Sequence, residues 1–336
     1  MLLLAGCSGE KKEVYEQANA DLEAGNYETA ISGYEASVSN EYKMAESYRG
    51  IGISQLRMGN YAEAVSSFTS ALDCEKISKN LAQDVLLYRG LAYYEENLLS
   101  EAMADCQTLA EDYSSNKDTY FLTGTVALAM DAYGEASANF TQAYEAESTY
   151  DMAIQIYEAY VERGMEADGT KYLEAALTAE PKDAEDYCDR GRVYYYMEDY
   201  SRAQEELIKA SNDNSTEALL LLGMVYLAQG NTSNARSMYQ EYVSKVPDSA
   251  KGYNGLVLCD IEEGKYDSAL TNISNGLPYS SDEEMKNLMF NEIVVYEKQL
   301  DFVTAQQKAE AYLEYFPGDE AVERELVFLK TRTGSN

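Results

Sequence analysis

Residues 48–68 read Tyr-Arg-Gly-Ile-Gly-Ile-Ser-Gln-Leu-Arg-Met-Gly-Asn-Tyr-Ala-Glu-Ala-Val-Ser-Ser-Phe. Tyr48, Ile51, Gly52 and Leu56 recur at helical spacing and predict one buried stripe. The Gly59-Asn60-Tyr61 break interrupts that helix. Glycine enters the left-handed conformation that ends a helix, and the Asn60 side chain can cap the next one. Ala64 and Phe68 then lie one turn apart on a second helix. The stretch is a helical hairpin.

The same unit recurs along the chain. Gly25-Asn26-Tyr27 lies 34 residues before Gly59-Asn60-Tyr61, and Gly230-Asn231 lies 34 before Gly264-Lys265. Pro181, Pro247 and Pro317 are spaced 66 and 70 apart, about two periods each. First-helix stripes include Leu86…Gly90…Tyr93-Tyr94, Tyr187…Gly191…Tyr194 and Leu219…Gly223…Tyr226. Second helices carry a small residue near their start: Ala30, Ala64, Ala102, Ala136, Gly169, Ala203, Ala235, Ala269 and Ala305. Asn26, Asn60, Asn97, Asp199, Asn231 and Asp301 are expected to cap those helices. The small residues of both helices are expected to let two backbones approach. In one unit Tyr157 stands in the glycine slot and Gly169 in the alanine slot, which predicts looser packing. Val257 and Ile293 also fill the glycine slot. No hairpin of this kind buries its apolar faces alone, so the units must stack.

This pattern resembles the tetratricopeptide repeat. Nine units are expected, starting near Lys11, Ala45, Gln83, Lys117, Tyr150, Ala184, Thr216, Ala250 and Lys286. The resemblance covers about residues 11–318, with 319–336 read as a capping helix and tail. It implies an all-α, right-handed superhelical solenoid of about nine helix-turn-helix hairpins plus the C-terminal capping helix. Three charge pairs repeat at one separation, Arg89/Asp105, Arg190/Glu206 and Glu292/Lys308. They are expected to hold their hairpins in register.

Composition narrows the chemistry. The 336-residue chain has a net charge of −33, which argues against nucleic acid as a partner. It has no histidine, so Ser-His and Cys-His pairs and histidine-ligated zinc are excluded. Cys74, Cys106, Cys188 and Cys259 form no metal or disulfide framework and read as packing residues or free thiols. There is no phosphate-binding glycine-rich loop and no EF-hand spacing. The carboxylates point to no enzyme, and no cofactor or metal is expected.

The chain begins Met-Leu-Leu-Leu-Ala-Gly-Cys-Ser. Leu4-Ala5-Gly6-Cys7 resembles the lipobox of bacterial lipoproteins, which implies lipidation of Cys7. Residues 1–6 are then a remnant of a lipoprotein signal peptide, shorter than a full one and without its basic region. Residues 7–10 are the lipidated cysteine and a short linker. An untethered cytoplasmic adaptor is the alternative if Met1 is the true start.

In tetratricopeptide arrays the first helices line a concave groove that holds peptides or extended protein segments. Carried onto this sequence, that implies Arg49, Ile53 and Arg57, then Leu87 and Tyr94, then Phe121 and Thr125 as groove residues. Further along it implies Arg192, Tyr195 and Tyr196, then Met224 and Leu258. Asp84, Asp118, Asp151, Glu158, Glu162 and Glu185 share the face, so the groove is mixed in charge. The basic clamp that some members use for a C-terminal carboxylate is not matched. The expected function is a membrane-tethered scaffold for a protein or peptide partner on the outer face of a bacterial membrane. A glycan- or solute-binding lipoprotein is a second alternative, disfavoured by the absence of tryptophan.

Overall fold

The structure, a computed structural model, describes the backbone of residues 3–334 and the side chains of residues 9–334. The lipidation assigned to Cys7, and the signal-peptide remnant assigned to residues 1–6, fall outside the described side chains. Among the described residues there are nineteen α-helices, one 3-10 segment at Leu277–Tyr279 and no strand.

The chain divides into two compact units. The first, Met1–Ala176, holds five hairpins. They are α1 (Leu3–Glu23) with α2 (Tyr27–Ser39), α3 (Met44–Arg57) with α4 (Tyr61–Leu72), and α5 (Lys79–Glu95) with α6 (Leu99–Asp112). Then come α7 (Lys117–Ala129) with α8 (Tyr133–Ala146), and α9 (Tyr150–Val161) with α10 (Glu166–Ala176). The second unit, Leu177–Asn336, holds four. They are α11 (Ala184–Tyr196) with α12 (Tyr200–Asn212), and α13 (Thr216–Ala228) with α14 (Thr232–Lys245). Next are α15 (Ala250–Glu262) with α16 (Tyr266–Gly276), and α17 (Asp282–Lys298) with α18 (Phe302–Tyr315). The final helix α19 (Glu320–Thr333) packs on α18, with Val322 and Leu329 buried in the last core.

The nine hairpins expected from the repeat are present, and five first helices begin at the expected residue. Helices α5 and α17 begin at Lys79 and Asp282, four residues before the expected Gln83 and Lys286. The reason is an added turn at each N-terminus. Ser78 caps α5, and Ser281 caps α17 in a reciprocal box with Glu284.

One backbone device closes every hairpin. A single residue takes positive φ: Gly25, Gly59, Asn97, Asp131, Gly164, Glu198, Gly230, Gly264 and Leu300, between +57° and +79°. The next N–H then donates to the carbonyl five residues back, as in Asn26 to Asp21 at 2.8 Å and Asp301 to Tyr296 at 2.9 Å. These are Schellman closures. Capping by side chain is less regular. Asp199, Asn231 and Asp301 accept from the backbone three residues on. Asn26 and Asn60 occupy the cap position without a side-chain bond. Asn97, expected as a cap, instead takes the left-handed position, which asparagine tolerates, and Leu98 takes the cap position.

Inside the hairpins the small residues face large ones rather than each other. A Cβ added at Gly124 would lie 2.7 Å from the Phe140 ring, and one at Gly52 would lie 2.6 Å from that of Phe68. Tyr239 is held between two glycines, Gly223 of its own hairpin and Gly255 of the next. The Tyr157/Gly169 unit is not loose: a Cβ at Gly169 would lie 3.0 Å from Tyr157 Cα, so the two helices have exchanged large and small. Val257 and Ile293 are fully buried. The buried thiols of Cys106, Cys188 and Cys259 are each pushed up to about 11 by burial, which suits packing and not reactivity.

The three expected charge pairs form. Arg89 grips Asp105 through two bonds of 2.8 and 2.7 Å. Lys308 meets Glu292 at 2.8 Å, and Arg190 approaches Glu206 at 3.8 Å. A fourth connection was not anticipated. Arg236 of α14 reaches Asp260 and Glu263 of the next hairpin, both at 2.8 Å. Asp260 is completely buried and also accepts from Ser268 and Asn272 at 2.8 Å.

Leu300 supplies a test of the turn. Its side chain is 73% exposed and its φ is +61°. A left-handed conformation costs a non-glycine residue about 1–2 kcal/mol, and glycine returns about 0.4–1 kcal/mol of that through unfolded-state freedom. Leu300→Gly is therefore expected to raise stability by about 0.5–1 kcal/mol in urea denaturation. A loss of stability would mean that the Leu300 side chain matters more than its backbone.

Candidate partner-binding site

Within each unit the first helices touch one another in sequence, α1 to α3 to α5 to α7 to α9, and α11 to α13 to α15 to α17. Among the described residues, second helices make no comparable contact with one another; α2, α4, α6 and α8 of the first unit and α12, α14 and α16 of the second each pack on the first helix that follows. The first helices of a unit are thus its inner layer, and their solvent-facing side is a shared surface.

In the first unit that surface deepens into a cleft of about 570 Å³. Tyr15, Asn19 and Glu23 line it from α1, at successive fourth positions on one helical face. Glu46 and Arg49 line it from α3, and Asn80 and Asp84 from α5. Tyr34 of α2 backs it. The Tyr34 ring is buried, and its hydroxyl donates to Asn19 Oδ1 at 2.7 Å. Burial pushes the phenol up to about 12, so it stays a neutral donor. Tyr34 meets Tyr15 edge-on at 5.9 Å, and Lys43 Nζ stands 4.7 Å from the Tyr15 ring centroid. Across the cleft Arg49 is ion-paired to Asp84, and its guanidinium lies 5.3 Å from the Tyr88 centroid.

The expected groove residues separate into groups. Arg49 lines the cleft, whereas Ile53, one turn on, is 8% exposed and belongs to the core with Phe68 and Val85. Arg57 is exposed at the end of α3. Tyr94 is half-buried, and burial followed by the nearby Glu162 raises its phenol. Phe121 turns toward Phe140, with centroids 5.7 Å apart. In the second unit Arg192 pairs with Asp189 at 2.8 Å. Tyr195 stacks edge-on to Tyr196 at 6.2 Å and packs partly against the core. Met224 and Leu258 are exposed. Tyr15, Asn19 and Glu23 were not singled out in the sequence. Their spacing on one face of α1 is a signal, but only the opposing α3 and α5 mark it as a cleft wall.

Among the described residues no three His, Cys, Asp or Glu side chains are grouped to hold a metal ion. No described helix is long and apolar enough to cross a membrane.

The sequence profile of the tetratricopeptide repeat family matches residues 15–80, 51–117 and 188–250. The hairpins within those residues match tetratricopeptide repeats. A BBS4 homologue of Drosophila melanogaster, a BBSome complex member, is 21% identical over 301 residues, covering 89% of this chain and 55% of its own length. BBS4 of Bos taurus is 28% identical over 109 residues, covering 32% of this chain and 21% of its own. The chain thus spans about half the length of the fly relative or less of the bovine one. Among solved structures, a tetratricopeptide repeat protein from Parabacteroides merdae aligns with a TM-score of 0.44 at 20% identity, covering 70% of this chain and 92% of that one. A tetratricopeptide array is a protein-interaction fold.

The wall of the cleft depends on one glycine. A Cβ at Gly50 would lie 2.4 Å from the Tyr34 ring. Alanine gains about 1 kcal/mol of helix propensity over glycine, but overpacking costs about 1–3 kcal/mol. Gly50→Ala is expected to lower stability in urea denaturation, because Tyr34 has to leave its place beside Asn19. An increase would show that the ring yields freely.

Proposed function

We propose that this chain is a membrane-tethered scaffold whose tetratricopeptide repeats hold an extended segment of a protein partner against their first helices. The observation that carries the reading is the cleft between α1, α3 and α5. Its lining combines aromatic rings with hydrogen-bonding groups, a surface suited to peptide backbone and side chains. The BBSome naming of the fly and bovine relatives agrees with a part in a multiprotein assembly. The tether rests on Leu4-Ala5-Gly6-Cys7, with acyl chains on Cys7 holding the protein to the outer face of a bacterial membrane. Two acyl chains anchor stably where one is marginal.

The test is a crosslinking pulldown from membranes of the native host, comparing intact protein with Cys7→Ala. Intact protein is expected in the membrane fraction with a defined protein partner, and the variant is expected to be released and to lose that partner. Soluble protein with identical partners in both cases would overturn the tether and leave an untethered adaptor. Retention of a glycan or small solute in place of any protein would overturn the scaffold.

A further inference from the structure

We infer that the cleft of the first unit is specific for a cationic segment, an extended stretch of a protein partner carrying Lys or Arg side chains. The inference rests on the scaffold reading and names the chemistry of the segment held.

The charges of the cleft decide it. Its charged lining is Glu23, Glu46, Arg49 and Asp84. Arg49 is bound by Asp84, so the one positive group among the lining residues is already neutralised, and the Lys43 ammonium beside the cleft lies over the Tyr15 ring. Glu23 and Glu46 form no ion pair among the described residues. They flank the opening from α1 and α3, the first exposed and the second half-buried. A partner carboxylate entering here would meet two like charges and no available guanidinium. A Lys or Arg would meet two acceptors.

The rings point the same way. Tyr15 already draws the Lys43 ammonium to 4.7 Å, and Tyr88 beside the cleft draws the Arg49 guanidinium to 5.3 Å. Carboxylates next to aromatic faces form the chemistry that receives organic cations. Asn19 accepts from Tyr34 through its oxygen, which leaves its amide N–H groups to donate to a backbone carbonyl of the segment. The net charge of −33 draws cationic chains toward the protein from a distance.

That long-range attraction sets the control. Intact full-length protein is titrated into a fluorescein-labelled, blocked Gly-Ser peptide carrying three lysines, and binding is followed by anisotropy. Matching peptides carry three glutamines or three glutamates. Glu23→Gln with Glu46→Gln removes two charges from the cleft. Glu320→Gln with Glu323→Gln removes two exposed charges from α19 in the other unit. Circular dichroism verifies that both variants are folded. The lysine peptide is expected to bind tightest. The cleft variant is expected to lose about ten-fold, the sum of two partly exposed charge contacts, and the α19 variant less than about two-fold. Equal losses in the two variants would overturn the inference by showing diffuse attraction. Equal binding of the lysine and glutamine peptides would overturn the cationic assignment while leaving peptide binding intact. The scaffold reading itself stands or falls on the membrane pulldown.

Discussion

Everything in this fold depends on one left-handed residue per hairpin. It turns the chain through the same closure nine times, with the following N–H bonded to the carbonyl five residues back. That closure fixes which side of the second helix meets the first. Inside each unit the repeated geometry then lets a second helix pack on the next first helix, and it keeps the first helices of each unit together. A surface shared by successive first helices is thus a consequence of a backbone conformation.

The constraint tolerates varied chemistry. Five of the nine positions are glycine, and Asn97, Asp131, Glu198 and Leu300 fill the others. The core shows the same tolerance. Large and small residues can trade places between the two helices, as Tyr157 and Gly169 do, provided that one stays small where the other is large.

This is why the fold was legible in the sequence and the site was not. The period, the glycine-polar-tyrosine turns and the small residues located nine hairpins, five of them to the starting residue. The charge pairs were legible because they repeat at a fixed separation, while Arg236 and Asp260 were missed because they connect different hairpins. The added turns of α5 and α17 were missed because they lie outside the repeated slots. Asn97 was misplaced by one position because asparagine serves both as cap and as left-handed residue. The cleft depends on neighbours distant in sequence. Tyr15, Asn19 and Glu23 look like a solvated helix face until α3 and α5 stand opposite, and Ile53 looks like a groove residue until Phe68 and Val85 close over it.

The proposed link from fold to function is that a protein partner occupies the first-helix face of the first unit. A benzophenone photo-crosslinker placed at Asn80 on α5, and separately at Ser66 on the exposed side of α4, tests it in cells of the native host. The account predicts that the partner crosslinks from Asn80 and not from Ser66. Crosslinking from Ser66 alone would contradict it and place recognition on the outer helices.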